Sequence, residues 1–285
     1  MIPEVECDRE TRASLEMLAA GPEALSRLEC ELAIDGRFSS RLGGPSLRRA
    51  VNVAFGSHDH VVLRGMPTVS DGVALLAALS LVSSTPKFYR GDRVVKHFRM
   101  SPWTSALSHT AAEGHFHTDL NTSVEPPAVT GIMCLDPDPG APRYGEVRVC
   151  RVRSLLAEAS RRRWDDVLRF LTDTEVSMVN DTSSTEWTGR IIVGESIRFH
   201  PETLRASERR RRVAPQHEPV LARIKELALA TSEPIHLDRG DVLLVSNRRC
   251  LHYRGACSVR FTRFPTEFDA RRVAVAHAMD ESCDA

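Results

Sequence analysis

Length and charge already narrow the class of protein. The chain has 285 residues, enough to bury a substantial core as one large domain or two small ones. Lys plus Arg and Asp plus Glu both total 38, so the formal charge is zero, which argues against a nucleic-acid or membrane-surface binder that relies on its overall field. Seven cysteines without a CxxC pair, no visible signal peptide and no apolar stretch of membrane-span length predict a reduced, cytoplasmic protein.

The N-terminal part of the chain is predicted to be mainly helical. Asp8 is placed to cap a first helix, and a second segment of helical periodicity follows Gly21. Residues 60–67 read as a short buried strand ended by glycine and proline. Ser70 is then placed to cap a strongly apolar helix. We interpret residues 1–90 as helical support for a core that follows.

Strand-like patterns dominate the rest of the chain. They occupy residues 94–100, 128–135, 145–152, 189–199, 241–247, 258–264 and 271–277, and two predicted helices at 154–171 and 219–230 interrupt them. Many short strands with a few helices indicate a mainly β fold with α (α+β), built as a barrel or a sandwich. Since no repeat or linker divides the sequence, we predict a single domain over residues 1–285, with the core in 91–285 and an insertion at about 154–231.

The densest polar cluster lies in the middle of the chain. If this segment is extended, alternation directs His115, His117 and Asp119 to one face. His252 follows 135 residues after His117, next to a buried-looking strand. Two histidines and one carboxylate form the facial triad that suits Fe(II) and leaves positions open for a co-substrate and O₂. The same residues are also compatible with purely structural roles, in which His117 and Asp119 stabilise a turn and His252 is a hydrogen-bonded histidine of the core.

Four segments in order resemble the clavaminate synthase and taurine dioxygenase group of Fe(II)/2-oxoglutarate-dependent oxygenases. They are residues 60–67 (HVVLRGMP), 115–142 (beginning HFHTDL), 237–255 (LDRGDVLLVSNRRCLHYRG) and 269–277 (DARRVAVAH). The resemblance implies a double-stranded β-helix (jelly-roll) core with N-terminal helices and helical insertions. It also implies that Fe(II), 2-oxoglutarate and O₂ take part, with His117, Asp119 and His252 as the iron ligands.

The resemblance leaves three arginines as candidates for binding 2-oxoglutarate. Arg272 best matches the family position, because it directly precedes the apolar residues of the closing strand. It lies twenty residues after His252, further than is usual in the family, so Arg263, eleven residues after His252, and Arg271 remain candidates. An arginine suits this role because its planar fork binds a carboxylate through two hydrogen bonds.

Several further positions carry weaker expectations. The family usually has a threonine that contacts the co-substrate, but the matching segment here holds Val147, so Ser108, Thr110 or Arg148 would have to replace it. Other candidates for contact with the substrate or support of the site are His115, Asn247, Arg99, Arg198 and Trp103.

We therefore predict an oxygenase that hydroxylates a small molecule, most simply an amino acid or derivative in specialised metabolism, with no nucleic acid or membrane as partner. Asp119 keeps the third ligand in place and so argues against a halogenase. Three alternatives stay open: a cupin-type metal-dependent hydrolase or isomerase, a non-catalytic jelly-roll binding protein, and a nucleic-acid-associated protein acting through the arginines at 209–212. The cupin alternative lacks its usual glutamate, since the first one after His117 is Glu125.

Overall fold

Two β-sheets face each other at the centre of the protein. The computed structural model describes residues 2–38, 44–70, 72–89, 91–106 and 108–281. The larger sheet has six strands, in the spatial order β1 (Glu4–Glu6), β2 (His60–Arg64), β11 (Val242–Ser246), β4 (Val129–Asp136), β15 (Arg272–Ala278) and β3 (Lys96–Arg99). The smaller sheet has the order β10 (Pro234–Ile235), β5 (Val147–Arg151) and β12 (Cys250–Arg254). This is the predicted α+β jelly-roll fold.

Helices cover the outer face of each sheet. The first group is α1 (Arg9–Leu18), α2 (Ala24–Asp35), α3 (Pro45–His58) and α4 (Val73–Ser80). The second group is α5 (Val152–Arg161), α6 (Asp165–Thr172), α7 (Pro201–Arg211) and α8 (Glu218–Ala230). Three hairpins complete the described chain: β6 (Glu175–Asn180) with β7 (Thr185–Arg190), β8 (Ile192–Val193) with β9 (Ser196–Ile197), and β13 (Val259–Arg263) with β14 (Glu267–Ala270). In the described parts of the chain, no helix is both long and apolar enough to cross a membrane.

Apolar side chains join these elements into four layers. Leu75, Leu76 and Leu79 of α4 are buried in one cluster with the other N-terminal helices and the outer face of the larger sheet. A second cluster lies between the sheets and includes Leu243 of β11, from the larger sheet, and Val149 of β5, from the smaller sheet. A third cluster joins the outer face of the smaller sheet to the second group of helices. The layer order is therefore helices, larger sheet, smaller sheet, helices.

Strict alternation along β15 directs its side chains to two different environments. Ala274 and Ala276 are buried in the cluster on the helix side, where their small size allows close packing. Val273, Val275 and His277 face the opposite way, into the space between the sheets. β15 thus presents a polar side chain to the interior at its C-terminal end.

Some local predictions were wrong. Asp8 caps α1 through the Thr11 N–H as expected, but α4 begins after Gly72, which has a positive φ of 126°, and not at Ser70. The helix predicted over 154–171 is two helices, because Arg163 adopts a left-handed conformation between them. Patterning also missed α3, the β6–β7 hairpin and α7, whose sequence is mostly polar.

Candidate metal centre and active site

His117 and His252 lie directly opposite each other at the edge of the smaller sheet. Each backbone N–H donates to the carbonyl of the other at 3.0 Å, so His117 extends the sheet beside β12 by one antiparallel bridge. The two imidazoles consequently lie on the same face, with ring centroids 4.3 Å apart. Two histidines that are remote in sequence are thus held together by the backbone.

Asp119 completes this pair from the turn that follows His117. Its carboxylate oxygens lie 3.5 Å from His117 Nε2 and 3.4 Å from His252 Nε2. Asn247 holds the turn, because its side-chain oxygen accepts from the Asp119 N–H at 2.7 Å and its amide donates to the Asp119 and Pro127 carbonyls. One donor atom from each of His117, Asp119 and His252 lies within 4.8 Å of the others, so the group can hold a metal ion.

Hydrogen bonds and charge set the protonation states of the group. His117 Nδ1 lies 2.7 Å from the His115 carbonyl, which leaves Nε2 free for a metal. Burial opposes the charged form of Asp119, but the imidazoles of His252, His117 and His277 surround it and hold its pKa well below the usual range. Burial lowers the pKa of His252, whereas for His117 the contact with Asp119 outweighs burial and raises the pKa.

The three donors open into a cavity of about 520 Å³ between the sheets. Its wall is largely apolar, with Met100, Ile132, Val147, Val273 and Val275 among the lining residues. Arg271 also lines it, is only 3% exposed, and within the described chain its Nη2 has no hydrogen-bond partner. Burial lowers the pKa of this guanidinium. A buried cation with a free donor is the environment that a carboxylate ligand satisfies.

The preference for Arg272 over Arg271 is corrected by the structure. Arg272 points away from the cavity and pairs with Asp136, because it falls on the opposite face of β15. Arg263 does lie in a hairpin, but at its exposed end, where the side chain is 78% exposed and 3.8 Å from Glu267. Of the three candidates, Arg271 is the one that reaches the cavity.

The weaker candidates divide into cavity residues and surface residues. His115 lines the cavity and lies 3.2 Å from Glu202, and Ser108 lies at the cavity wall. Arg99 and Arg198 are not among the residues that line the cavity; Arg99 donates to the Phe268 carbonyl and Arg198 to the Ser123 and Val124 carbonyls.

Three other candidates are occupied away from the cavity. Trp103 is 60% exposed beside Phe261, and the Thr110 hydroxyl accepts from the Ala112 N–H. Arg148 pairs with Glu146. The threonine contact of the family therefore has no replacement from Thr110 or Arg148.

Sequence reasoning missed five polar side chains that surround the metal donors. His277 and Thr130 contact the Asp119 carboxylate, and alternation along β15 was the one available signal for His277. Three more, His200, Glu202 and Lys96, line the cavity from α7, its cap and β3. No spacing rule links these positions to the HxD motif, because separate elements bring them together.

The arginines at 209–212 begin in the last turn of α7. Arg209 pairs with Asp181 at 3.2 Å and lies at the cavity wall. Arg210 and Arg211 both lie near Glu186, at 3.8 and 3.6 Å. Carboxylates from the β6–β7 hairpin thus offset these cations locally, which disfavours a role in binding nucleic acid.

The donor set fits iron and 2-oxoglutarate. Two imidazole nitrogens and one carboxylate are the ligands that non-haem Fe(II) oxygenases use, with further positions open. The cavity beside them has a largely apolar wall, and the buried guanidinium of Arg271 lines it as a partner for an anionic co-substrate. Both requirements are met by residues of this chain alone.

Solved structures share this fold over nearly the whole chain. An asparagine oxygenase in complex with Fe(II), 2S,3S-3-hydroxyasparagine and succinate gives a TM-score of 0.69 at 18% identity, covering 97% of this chain and 94% of that one. The non-haem iron oxygenase OrfP in complex with Fe and alpha-ketoglutaric acid gives 0.61 at 15% identity, covering 98% and 95%. OrfP with Fe and L-Arg gives 0.62 at 14% identity, covering 97% and 93%.

Fold, site and sequence family agree on the class. The protein is a non-haem Fe(II)/2-oxoglutarate-dependent dioxygenase, as the sequence predicted. The family model described as "Taurine catabolism dioxygenase TauD, TfdA family" matches residues 29–263, so the chain belongs to that family. No curated protein matches the chain in sequence. The family match ends before Arg271, whose assignment therefore depends on the structure.

Proposed function

We propose that this dioxygenase hydroxylates an amino acid or an amino-acid derivative in specialised metabolism, and that it acts in the cytoplasm. The fold that it shares with an asparagine oxygenase and with OrfP, which binds L-Arg, supports an amino-acid substrate. The six cysteines in the described residues are free thiols, which supports a reducing compartment.

One observation carries the proposal: the His117–Asp119–His252 group and the partly unpaired guanidinium of Arg271 open into the same cavity. A hydrolase or isomerase on a cupin barrel requires the metal donors, but its chemistry does not call for a buried cation in the wall of the same cavity. A binding protein with a vestigial triad would not need Asn247 to hold the turn of Asp119 in place.

Each residue has a defined task. His117, Asp119 and His252 would hold iron, and Arg271 would bind the distal carboxylate of 2-oxoglutarate through its free donor. When bound, iron and 2-oxoglutarate supply the oxidising power that breaks an unactivated C–H bond. The apolar wall formed by Ile132, Val147 and Val275 excludes water around these groups, which strengthens the electrostatic contacts inside the cavity.

The first experiment is an anaerobic titration of the apoprotein with Fe(II) and 2-oxoglutarate. We expect a weak visible metal-to-ligand charge-transfer band in the wild type, and its loss in His117→Ala and in Asp119→Ala, because each substitution removes a ligand. His60→Gln, a buried histidine in β2, is the matched control and should keep the band. Absence of the band in the folded wild type would refute the oxygenase mechanism.

The substrate is sought by succinate release. Purified enzyme with Fe(II) and 2-oxoglutarate is screened against free amino acids and their simple derivatives, with a chelator-treated sample as blank. We expect one or a few members to stimulate succinate formation and to gain 16 mass units, the mass of one oxygen atom. If none of the amino acids stimulates turnover while a non-amino-acid carboxylate or sulfonate does, the proposed substrate class is wrong.

A further inference from the structure

The two oxygens of the Asp119 carboxylate have different surroundings. Oδ2 accepts a hydrogen bond from the Thr130 hydroxyl at 2.9 Å and lies 2.9 Å from His277 Nε2. Oδ1 faces His117 Nε2 at 3.5 Å. Thr130 is completely buried and His277 nearly so. His252 Nε2 also lies 3.4 Å from Oδ2, but Thr130 and His277 already occupy both lone pairs of that oxygen, which leaves Oδ1 for a metal.

The His277 imidazole is held in turn by a tyrosine. The Tyr89 hydroxyl lies within hydrogen-bond reach of His277 Nδ1, and the two rings meet edge to face. Burial and the nearby Asp119 raise the pKa of Tyr89, so its hydroxyl stays protonated and donates. A donor at Nδ1 leaves the ring hydrogen on Nε2, the nitrogen that faces Asp119. Tyr89 therefore selects the tautomer of His277 that bonds the carboxylate.

The fold holds this chain of contacts rigidly. Thr130 and His277 are register partners across β4 and β15, so both reach the same oxygen from adjacent strands. The segment that carries Tyr89 is attached to the end of β15, because the Lys87 N–H donates to the His277 carbonyl at 2.9 Å. The Lys96 ammonium lies 3.3 Å from the centroid of the Tyr89 ring and fixes its plane by a cation–π contact.

We infer that Tyr89, His277 and Thr130 are positioning residues that make Asp119 a one-oxygen metal ligand through Oδ1. A carboxylate that binds through both oxygens occupies one more coordination position, and 2-oxoglutarate and O₂ need three positions between them. Holding Oδ2 by hydrogen bonds keeps those positions available. The inference rests on the proposed function, since it assumes that Asp119 binds the metal.

Cobalt(II) is the probe, because it binds such sites without turnover and its visible spectrum reports the coordination number. Apoprotein is titrated by isothermal calorimetry and by absorption. We expect His277→Ala to weaken Co(II) binding about 10- to 100-fold and to change the spectrum. His277→Gln should recover most of the affinity, since its amide nitrogen takes the place of Nε2 as donor to Asp119. His60→Gln is the control for replacing a buried histidine.

Tyr89→Phe tests the outer contact. In the wild-type background it should weaken Co(II) binding, because the His277 tautomer is no longer selected. In the His277→Gln background it should have no further effect, because glutamine has no tautomers. If His277→Ala fails to fold, the comparison of Tyr89→Phe in the wild-type and His277→Gln backgrounds still tests the positioning role. Equal effects of Tyr89→Phe in both backgrounds, including no effect in either, would overturn the inference.

Failure of the inference and failure of the proposed function give different results. Wild-type Co(II) binding that survives His117→Ala would show that the metal site itself is wrong. Loss of binding in His117→Ala, together with wild-type affinity and spectrum in a folded His277→Ala, would leave the metal site intact and refute only the positioning role.

Discussion

Arg271 is the residue on which co-substrate binding depends. Its side chain is buried in an apolar environment, and within the described residues its Nη2 has no hydrogen-bond partner. An arrangement of this kind is destabilising by itself, because a desolvated charge lacks compensation from the protein. A carboxylate in the cavity would supply that compensation, so the site is suited to bind an anion.

Arg271→Ala should weaken 2-oxoglutarate binding to the Co(II)-loaded protein by roughly 30- to 150-fold, which corresponds to about 2–3 kcal/mol for charge-assisted hydrogen bonds. Arg272→Ala is the matched control on the next residue and should leave the affinity nearly unchanged, because Arg272 pairs with Asp136 outside the cavity. Calorimetric titration measures both. A large loss in Arg272→Ala with none in Arg271→Ala would reverse the assignment.

At the scale of single residues, the sequence predicts the metal-ligating side chains better than the side chains that contact them. The spacing of His117 and Asp119 and the context of His252 were enough to propose an iron site. Alternation along β15 would have chosen Arg271, which shares a face with Val273 and Val275, but the family position favoured Arg272. Tyr89 and Lys96 carry no motif, since their contacts with the site arise only when distant strands pair.

At the scale of elements, the C-terminal end of β15 is tied to the loop that leads to Tyr89. The Asp280 carboxylate accepts hydrogen bonds from the hydroxyls of Ser83 and Ser84, both at 2.6 Å, and from the Thr85 N–H at 2.8 Å. Although burial opposes ionisation, these bonds lower the pKa of Asp280 to about 2. The loop and the strand are thus joined by a charged group.

Asp280→Asn should lower the free energy of unfolding by about 1–2 kcal/mol at neutral pH, because charge-assisted hydrogen bonds become neutral ones. The folded pKa lies below the unfolded value, so the stabilisation is fully present above about pH 4 and is lost as the pH falls through about 2. Urea unfolding at pH 7 and at pH 3 should show the difference between variant and wild type narrowing. Asp35→Asn, on an exposed position of α2, is the control; a pH-independent difference would contradict the account.

At the polar helix α7, element prediction failed because little apolar periodicity was present. The helix α7 was missed because its sequence is mostly polar and its last turn holds three arginines, yet its first turn is anchored by Pro201, Thr203 and Leu204, all buried. The strand predicted at 258–264 is β13, but its pairing with β14 away from the cavity was not predicted, because a strand pattern does not indicate which sheet the strand joins. Tertiary contacts decide both cases.

At the scale of the whole molecule, the four layers are joined through the two sheets. The N-terminal helices touch one face of the larger sheet, and the inserted helices touch the outer face of the smaller one. The cluster between the sheets links them. The single domain over residues 1–285 remains a prediction. These three clusters in series could couple unfolding of the N-terminal helices to unfolding of the inserted helices.

Leu76→Ala tests that cooperation. Leu76 is completely buried in the N-terminal cluster, so the substitution should cost about 2–5 kcal/mol. Trp164 and Trp187 pack against the opposite cluster and report its unfolding by fluorescence. If the chain unfolds as one unit, the urea midpoints by fluorescence and by circular dichroism should fall together. An unchanged fluorescence midpoint would indicate two independent units.

The alternation of β15 has a consequence for where the chain tolerates insertions and deletions. Arg271 directly precedes β15 and lines the same cavity as His277 within that strand, so a single-residue deletion between them would turn one of the two out of the cavity. The β13–β14 hairpin lies upstream of both and is largely exposed. Relatives can therefore differ in the number of residues between the positions of His252 and Arg271. The number of residues between Arg271 and His277, which contacts the Asp119 carboxylate, should stay constant. Homologues aligned on this strand should show gaps in the hairpin and none within β15.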